Sequence, residues 1–195
     1  MTFTLEDRLN QIIPKITSSD FLGSKGLGNE IGFWIFDYPP EREMEVRDFV
    51  DTTILPALLK RIPPLRAEKL NLLTLVTGLL EKRNLLEKTI EMQQSKGDES
   101  ALSALRSVLK EDKLAKKIAE QFDIANLDLL ILTGVGSVYP MLRTHTLLSA
   151  LHPIMGNTPL LMFFPGKYDG TSLRLFNTLA EDHYYRAFRL IPETT

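Results

Sequence analysis

Two loops that follow apolar segments contain most of the residues suited to chemistry in this chain. The first loop, 133–140, contains Gly134, Gly136 and Ser137 and leads into a candidate helix. Backbone N–H groups at the start of a helix bind anions, so this turn is a candidate phosphate or nucleotide site. The dinucleotide-binding fingerprint requires a third glycine, however, and Tyr139 occupies that position. The alternative is a tight turn whose glycines allow a positive φ or close packing.

The second loop, 165–170, contains Asp169 and follows the apolar segment 160–164. Asp37 ends another apolar segment, and the carboxyl ends of parallel strands lie at one edge of an α/β sheet. Asp37 and Asp169 are therefore a candidate acid–base pair. The alternative is structural, because aspartate commonly accepts hydrogen bonds from nearby backbone N–H groups in turns.

Other catalytic patterns are missing from the sequence. His145 and His152 lie about 10.5 Å apart along one predicted helix, which is too far for both to bind one zinc ion. Ser137 lacks the flanking residues of the Gly-x-Ser-x-Gly nucleophile turn, and the chain contains no cysteine. We therefore expect no enzyme activity, no bound metal and no cofactor.

Arginine and tyrosine in the last third of the chain are the best candidates for recognition. Arginine forms forked contacts with carboxylates or phosphates, and both residue types are enriched at protein interfaces. The alternative is buried ion pairing, for example between Arg186 and either Asp37 or Asp169. The candidates are Tyr139, Arg143, Tyr168, Arg174, Tyr184, Tyr185, Arg186 and Arg189.

Length and composition indicate one ordinary globular domain that spans 1–195. The net charge of −2 argues against a dedicated nucleic-acid-binding protein, so we do not expect direct nucleic-acid binding. The first residues lack the basic and apolar regions of a secretory signal, and no apolar run is long enough to cross a membrane. These features predict a cytoplasmic location.

Hydrophobic periodicity predicts strands that alternate with helices, which is typical of an α/β fold. We expect a mostly parallel central sheet with helices on both faces and antiparallel strands at the C-terminal edge. A polar linker is predicted at 94–100, and a helical insertion at 94–122. Residues 70–76 are predicted as a strand, although their apolar spacing also fits a helix. The predicted strands are 31–36, 70–76, 129–133, 160–164, 173–176 and 184–190, and the predicted helices are 4–18, 41–58, 77–93, 101–110, 112–122 and 140–152, the last with Pro140 in its first turn.

Four segments resemble the BrxB family of BREX phage-exclusion systems: IGFWIFDYPPEREMEVRDFV, GVGSVYPMLRTHTLLSALH, FFPGKYDGTSLRLFN and YYRAFRL. The resemblance implies a small, non-enzymatic component of a multi-protein defence complex that acts through protein–protein interaction. It also implies a partner of the PglZ type, which is similar to alkaline phosphatases. A homodimer is compatible with the apolar helical segment. The alternatives are a nucleotide-binding or degenerate NTPase-like domain that uses the 133–140 turn and, third, direct DNA binding.

Overall fold

Seven strands form the sheet in the computed structural model, which describes residues 3–23, 32–181 and 187–194. Five parallel strands lie in the order β2-β3-β4-β1-β7, and β5 and β6 continue antiparallel from the end of β4. The predicted fold class is therefore confirmed. The strands are β1 (Phe33–Tyr38), β2 (Ala67–Asn71), β3 (Leu129–Thr133), β4 (Leu160–Tyr168), β5 (Leu173–Leu175), β6 (Leu179–Glu181) and β7 (Phe188–Arg189).

Helices cover both faces of this sheet. The elements α1 to α4 pack on one face, and α5, α7, α8 and α9 pack on the other. A π-helical segment, Val50–Ile54, joins α3 to α4. The helices are α1 (Leu5–Ile16), α2 (Ser19–Leu22), α3 (Glu43–Phe49), α4 (Leu55–Lys60), α5 (Leu72–Lys82), α6 (Leu86–Lys96), α7 (Asp98–Val108), α8 (Glu111–Gln121) and α9 (Thr144–Met155).

Alternation along the central strands explains why both faces are covered. In β3, Leu129 and Ile131 belong to the core on the α1 side, whereas Leu130 and Leu132 belong to the core on the α9 side. Successive side chains of a strand point to opposite faces, so an unbroken apolar run must be buried on both. This alternation is the reason that helices cover both faces of the sheet at β3.

Two predicted elements differ from the structure: the strand at 70–76 and the linker at 94–100. Of residues 70–76, only Leu70 and Asn71 lie in a strand. The strand β2 ends at Asn71, and the Asn71 side-chain oxygen accepts a hydrogen bond from the Thr74 N–H at 3.1 Å. This contact caps α5 and begins the helix at Leu72. The linker at 94–100 is also wrong, since only Gly97, with φ of 83°, separates α6 from α7.

Other boundaries also differ from the prediction, for example at 31–36, 140–152 and 184–190. The first strand is 33–38, and of the predicted 31–36 residue 31 lies outside the described residues. The helix predicted at 140–152 begins at Thr144, after Pro140. Of the strand predicted at 184–190, only β7 is described as a strand, and it pairs with β1 in parallel.

The helical insertion at 94–122 stays a prediction. The structure places α7 and α8 in this segment. Leu105 and Ile118 belong to the same core cluster as Leu132 of the sheet, so both helices pack into the layer on the α9 side.

Candidate functional site

A groove of about 510 Å³ opens at the carboxyl ends of β1 and β4. This is the edge at which α/β sheets usually bind ligands. The β1 end and the β4–β5 hairpin form much of its wall. Its polar lining includes Tyr38, Lys167, Asp169, Arg174, Asn177 and Glu193.

Asp37 lies beneath the groove and is held in a buried charge network. Its side chain is 1% exposed, and its Oδ1 lies 2.5 Å from Nη2 of Arg8. Its Oδ2 accepts a hydrogen bond from the Tyr168 N–H at 3.0 Å and lies 3.5 Å from Nη2 of Arg189. Arg8 also donates to the carbonyl oxygen of Ile191. The carboxylate therefore joins α1, β1, β4 and the C-terminal segment.

Asp169 does not face Asp37 as an acid–base partner. Its Oδ1 accepts hydrogen bonds from the backbone N–H groups of Thr171 at 2.8 Å and Ser172 at 2.7 Å, and both hydroxyls also donate to the carboxylate. These bonds, led by the Ser172 hydroxyl, hold the pKa of Asp169 well below its ordinary value. Asp169 has the turn-forming role that was the alternative interpretation.

Tyr38 contributes a neutral phenol to the groove. Burial raises the pKa of Tyr38 well above its ordinary value, and the nearby Glu43 carboxylate raises it further. The hydroxyl therefore stays protonated and donates to Oε2 of Glu43 at 2.5 Å.

The glycine turn after β3 is tightly packed. Gly134 has a φ of 73°, and a Cβ there would lie 2.9 Å from Oδ1 of Asn71. A Cβ on Gly136 would lie 2.8 Å from the Phe176 ring. A short 3₁₀ turn, Gly136–Val138, follows, while Ser137 is exposed. Both glycines are therefore packed closely against neighbouring side chains, as in a tight turn.

Gly134→Ala is expected to lower the free energy of unfolding by about 1–2 kcal/mol, because a side chain disfavours the left-handed backbone conformation. Gly78→Ala is the matched control. No atom lies within 4 Å of a Cβ on Gly78, which lies inside α5. Alanine there is expected to stabilise the protein by about 0.5–1 kcal/mol. Urea unfolding measures both, and equal effects of the two substitutions would contradict this role for Gly134.

Tyr139 and Phe176 form an exposed aromatic pair beside the groove. Their ring centroids lie 6.4 Å apart at 89°, and the residues are 40% and 37% exposed. Phe176 has a φ of 53°, which is unusual for a bulky residue. Its ring bridges the glycine turn and the β4–β5 hairpin through Gly136 and Pro165.

Sequence reasoning identified Tyr139 but missed Phe176. The available signal was the position of Phe176 after Leu173 and Leu175, which alternate into the core. Because successive side chains of a strand point to opposite faces, Phe176, directly after the buried Leu175, is expected to point away from the core. Asn177, a common turn residue, follows it and has a φ of 62°.

The other recognition candidates fall into three groups. Arg143 and Arg174 are exposed. Arg189 is partly buried against Asp37, with its side chain 26% exposed. Tyr185 and Arg186 lie outside the described residues, as does Tyr184.

Tyr168 is a core residue, which corrects its choice as a surface contact. It is 0% exposed, and its hydroxyl donates to the carbonyl oxygen of Ala187 at 2.7 Å. Lys167 is exposed and the next residue, Tyr168, points to the buried side of β4. A partner protein therefore cannot contact the Tyr168 ring in this conformation.

The part of the chain that the structure describes lacks a cluster of metal ligands and a membrane-spanning helix. In residues 3–23, 32–181 and 187–194, no group of three or more His, Cys, Asp or Glu residues is placed to hold a metal ion. No helix in the same ranges has the length and apolar character needed to cross a lipid bilayer.

Comparison with known proteins identifies the family to which this chain belongs. The family model described as BREX protein BrxB matches residues 68–190. A BREX protein BrxB from Bacillus cereus (strain H3081.97) is 42% identical over 191 residues, which cover 96% of this chain and 97% of that protein. A BREX protein BrxB from Escherichia coli O9:H4 (strain HS) is 41% identical over 191 residues, covering 97% and 93%. No solved structure matches the chain. The chain therefore belongs to the BrxB family of BREX proteins, as its sequence motifs indicated.

Proposed function

We propose that this component of a BREX anti-phage defence system is non-catalytic and acts by binding another protein of the system. The expected partner is a PglZ-type protein, as the family resemblance implies. The groove supports a binding role over a catalytic one. Asp37 is buried and bound by Arg8 and the Tyr168 N–H, while turn donors occupy the Asp169 carboxylate. Neither carboxylate has the open geometry that a general base needs.

The exposed Tyr139–Phe176 pair is the observation that carries this proposal. Holding Phe176 at a φ of 53° costs on the order of 1–2 kcal/mol, and part of its ring still contacts solvent. Strained residues of this kind cluster at functional sites. Aromatic side chains with arginine nearby are also the composition of interface hot spots. We therefore place the contact surface at the aromatic pair and the adjoining groove.

The glycine turn favours this proposal over nucleotide binding. Phosphate-binding turns of the P-loop and dinucleotide-binding type lead directly into the N-terminus of a helix. Here α9 begins only at Thr144, and the Phe176 ring packs on Gly136. The space above the turn is therefore used for packing between the turn and the β4–β5 hairpin.

Co-expression of the tagged chain with the other proteins of its BREX system tests the proposal. We expect a stoichiometric complex with the PglZ-type protein in size-exclusion chromatography with light scattering. Tyr139→Ala and Phe176→Ala are each expected to weaken the complex at least tenfold, as hot-spot truncations do. Ile90→Ala removes a side chain that is 47% exposed on α6 and is the matched control.

Two results would contradict the proposal. One is recovery of the chain alone, or only as a homodimer, with every other BREX protein present. The other is a complex that both aromatic substitutions leave unchanged, since the contact surface would then lie elsewhere.

A further inference from the structure

The groove contains two cations placed directly opposite each other. Lys167 of β4 and Arg174 of β5 are cross-strand partners in the antiparallel pairing, and both line the groove. The neighbours of Arg174 along β5, Leu173 and Leu175, are buried on the other side. Like charges at opposed positions destabilise a strand pair. An anion bound between the two cations relieves this repulsion.

The acceptors that line the groove are already engaged. The Asp169 carboxylate accepts four hydrogen bonds from Thr171 and Ser172. Oε2 of Glu193 lies 3.6 Å from Nζ of Lys167. The Tyr38 hydroxyl donates its proton to Glu43. Among the described residues, neither carboxylate of the groove, Asp169 or Glu193, pairs with Arg174.

The donors, by contrast, are open to a ligand. Arg174 is exposed, and within the described part of the chain no carboxylate pairs with it. The Asn177 side chain lines the same groove, also without a hydrogen-bond partner among the described residues. Lys167 is 60% exposed and keeps only its distant contact with Glu193. The groove thus presents a surplus of hydrogen-bond donors to an acceptor-rich ligand.

We propose that this groove binds a carboxylate side chain of the partner protein, which Arg174 receives in a forked contact and Lys167 neutralises. The inference rests on the proposed function and names the chemistry of the bound segment: an aspartate or glutamate next to an apolar residue. The apolar residue packs on Phe176, which follows β5 and donates its backbone N–H to the carbonyl oxygen of Pro165 at 2.9 Å.

The charge of the lining favours one carboxylate over a nucleic acid or nucleotide. Lys167 and Arg174 carry two positive charges, and Asp169 and Glu193 carry two negative charges, so the formal charges of these four residues cancel. A polyphosphate would meet both carboxylates along with the two cations. A single carboxylate needs only the two cations that the paired strands β4 and β5 place opposite each other, Lys167 and Arg174.

Charge reversal at Arg174 tests the inference. The probe is the purified PglZ-type protein, or the BREX protein that co-purifies in its place, and the affinity is measured by titration calorimetry. Arg174→Glu is expected to weaken binding at least tenfold. Arg174→Lys is expected to have an intermediate effect, because lysine keeps the charge but not the forked geometry. Arg174→Ala is a second variant, and thermal melts verify that all three are folded.

Arg106→Glu is the matched control, because Arg106 is an exposed arginine on α7 and does not line the groove. It is expected to change the affinity less than twofold. Binding to the unaltered chain should also weaken as salt rises, and Arg174→Ala should reduce this dependence.

Three outcomes would overturn the inference. If folded Arg174→Glu and Arg174→Ala bind as tightly as the unaltered chain, the carboxylate site is wrong, while the proposed function stands. If the unaltered chain binds no BREX protein, the proposed function fails and the inference fails with it. If ATP with magnesium or a DNA duplex binds in an Arg174-dependent manner, the anion is a phosphate and not a protein carboxylate.

Discussion

Asp37→Ala is expected to lower the free energy of unfolding by about 3–5 kcal/mol, the usual effect of removing one partner from a buried ion pair. The substitution leaves Arg8 with a buried positive charge, since its side chain is only 5% exposed. It also removes the acceptor of the Tyr168 N–H and the carboxylate nearest Arg189. The midpoint of thermal unfolding should fall on the order of 10 °C for a chain of this size.

Asp51→Ala is the matched control for this experiment. Asp51 also forms an ion pair, with its Oδ1 2.5 Å from Nζ of Lys69, but its side chain is 50% exposed. Solvent screens such a pair, so its loss is expected to change stability by less than about 1 kcal/mol. Urea and thermal unfolding measure both variants. A loss below 1 kcal/mol for Asp37→Ala would show that the buried network does not stabilise the fold.

Tyr168→Ala is expected to destabilise the protein by about 3–5 kcal/mol, because it empties a site in the core that is 0% exposed. Tyr168→Phe keeps the ring but removes the hydroxyl that donates to Ala187 and lies 3.0 Å from the carbonyl oxygen of Gly170. Both acceptors are only part-buried, so losing this hydrogen bonding is expected to cost about 0.5–1.5 kcal/mol. The free energies of unfolding of the two variants, measured by chemical denaturation, separate the contribution of ring packing from that of the hydroxyl hydrogen bond.

Tyr139→Ala is the control that distinguishes the two tyrosines. Tyr139 is 40% exposed, so its removal is expected to change stability by about 1 kcal/mol or less. Its expected effect is on the complex with the partner protein. The prediction for Tyr168 would be refuted if Tyr168→Ala unfolded at the same urea concentration as the unaltered chain.

These two predictions divide the residues at the carboxyl edge of the sheet by role. Asp37 and Tyr168 connect β1, β4 and the C-terminal segment and hold the edge in place. Tyr139, Arg174 and Phe176 lie on its outer side and are exposed. A binding experiment is therefore informative with the second group, whereas substitutions in the first group alter the fold that presents it.

The local features of the fold were predictable from the sequence. The apolar segments 129–133 and 160–164 predict strands, and both are strands in the structure. The spacing of Leu5, Leu9 and Ile12 predicts α1. The parallel sheet, its helices on both faces and the BrxB relationship all follow from such segments, and each is confirmed.

Only the tertiary structure decided which distant residues meet. Asp37 pairs with Arg8 and Arg189 across the chain, and no local pattern in the sequence indicates these partners. The opposition of Lys167 and Arg174 depends on the register of a short hairpin. Hydrophobic periodicity reports which face of an element is buried, because that depends on neighbours in sequence. It carries no information on which side chain lies across the interface, since packing of separate elements sets that choice. For this reason the sequence selected Tyr139 and Tyr168 together, and the folded chain exposes one and buries the other.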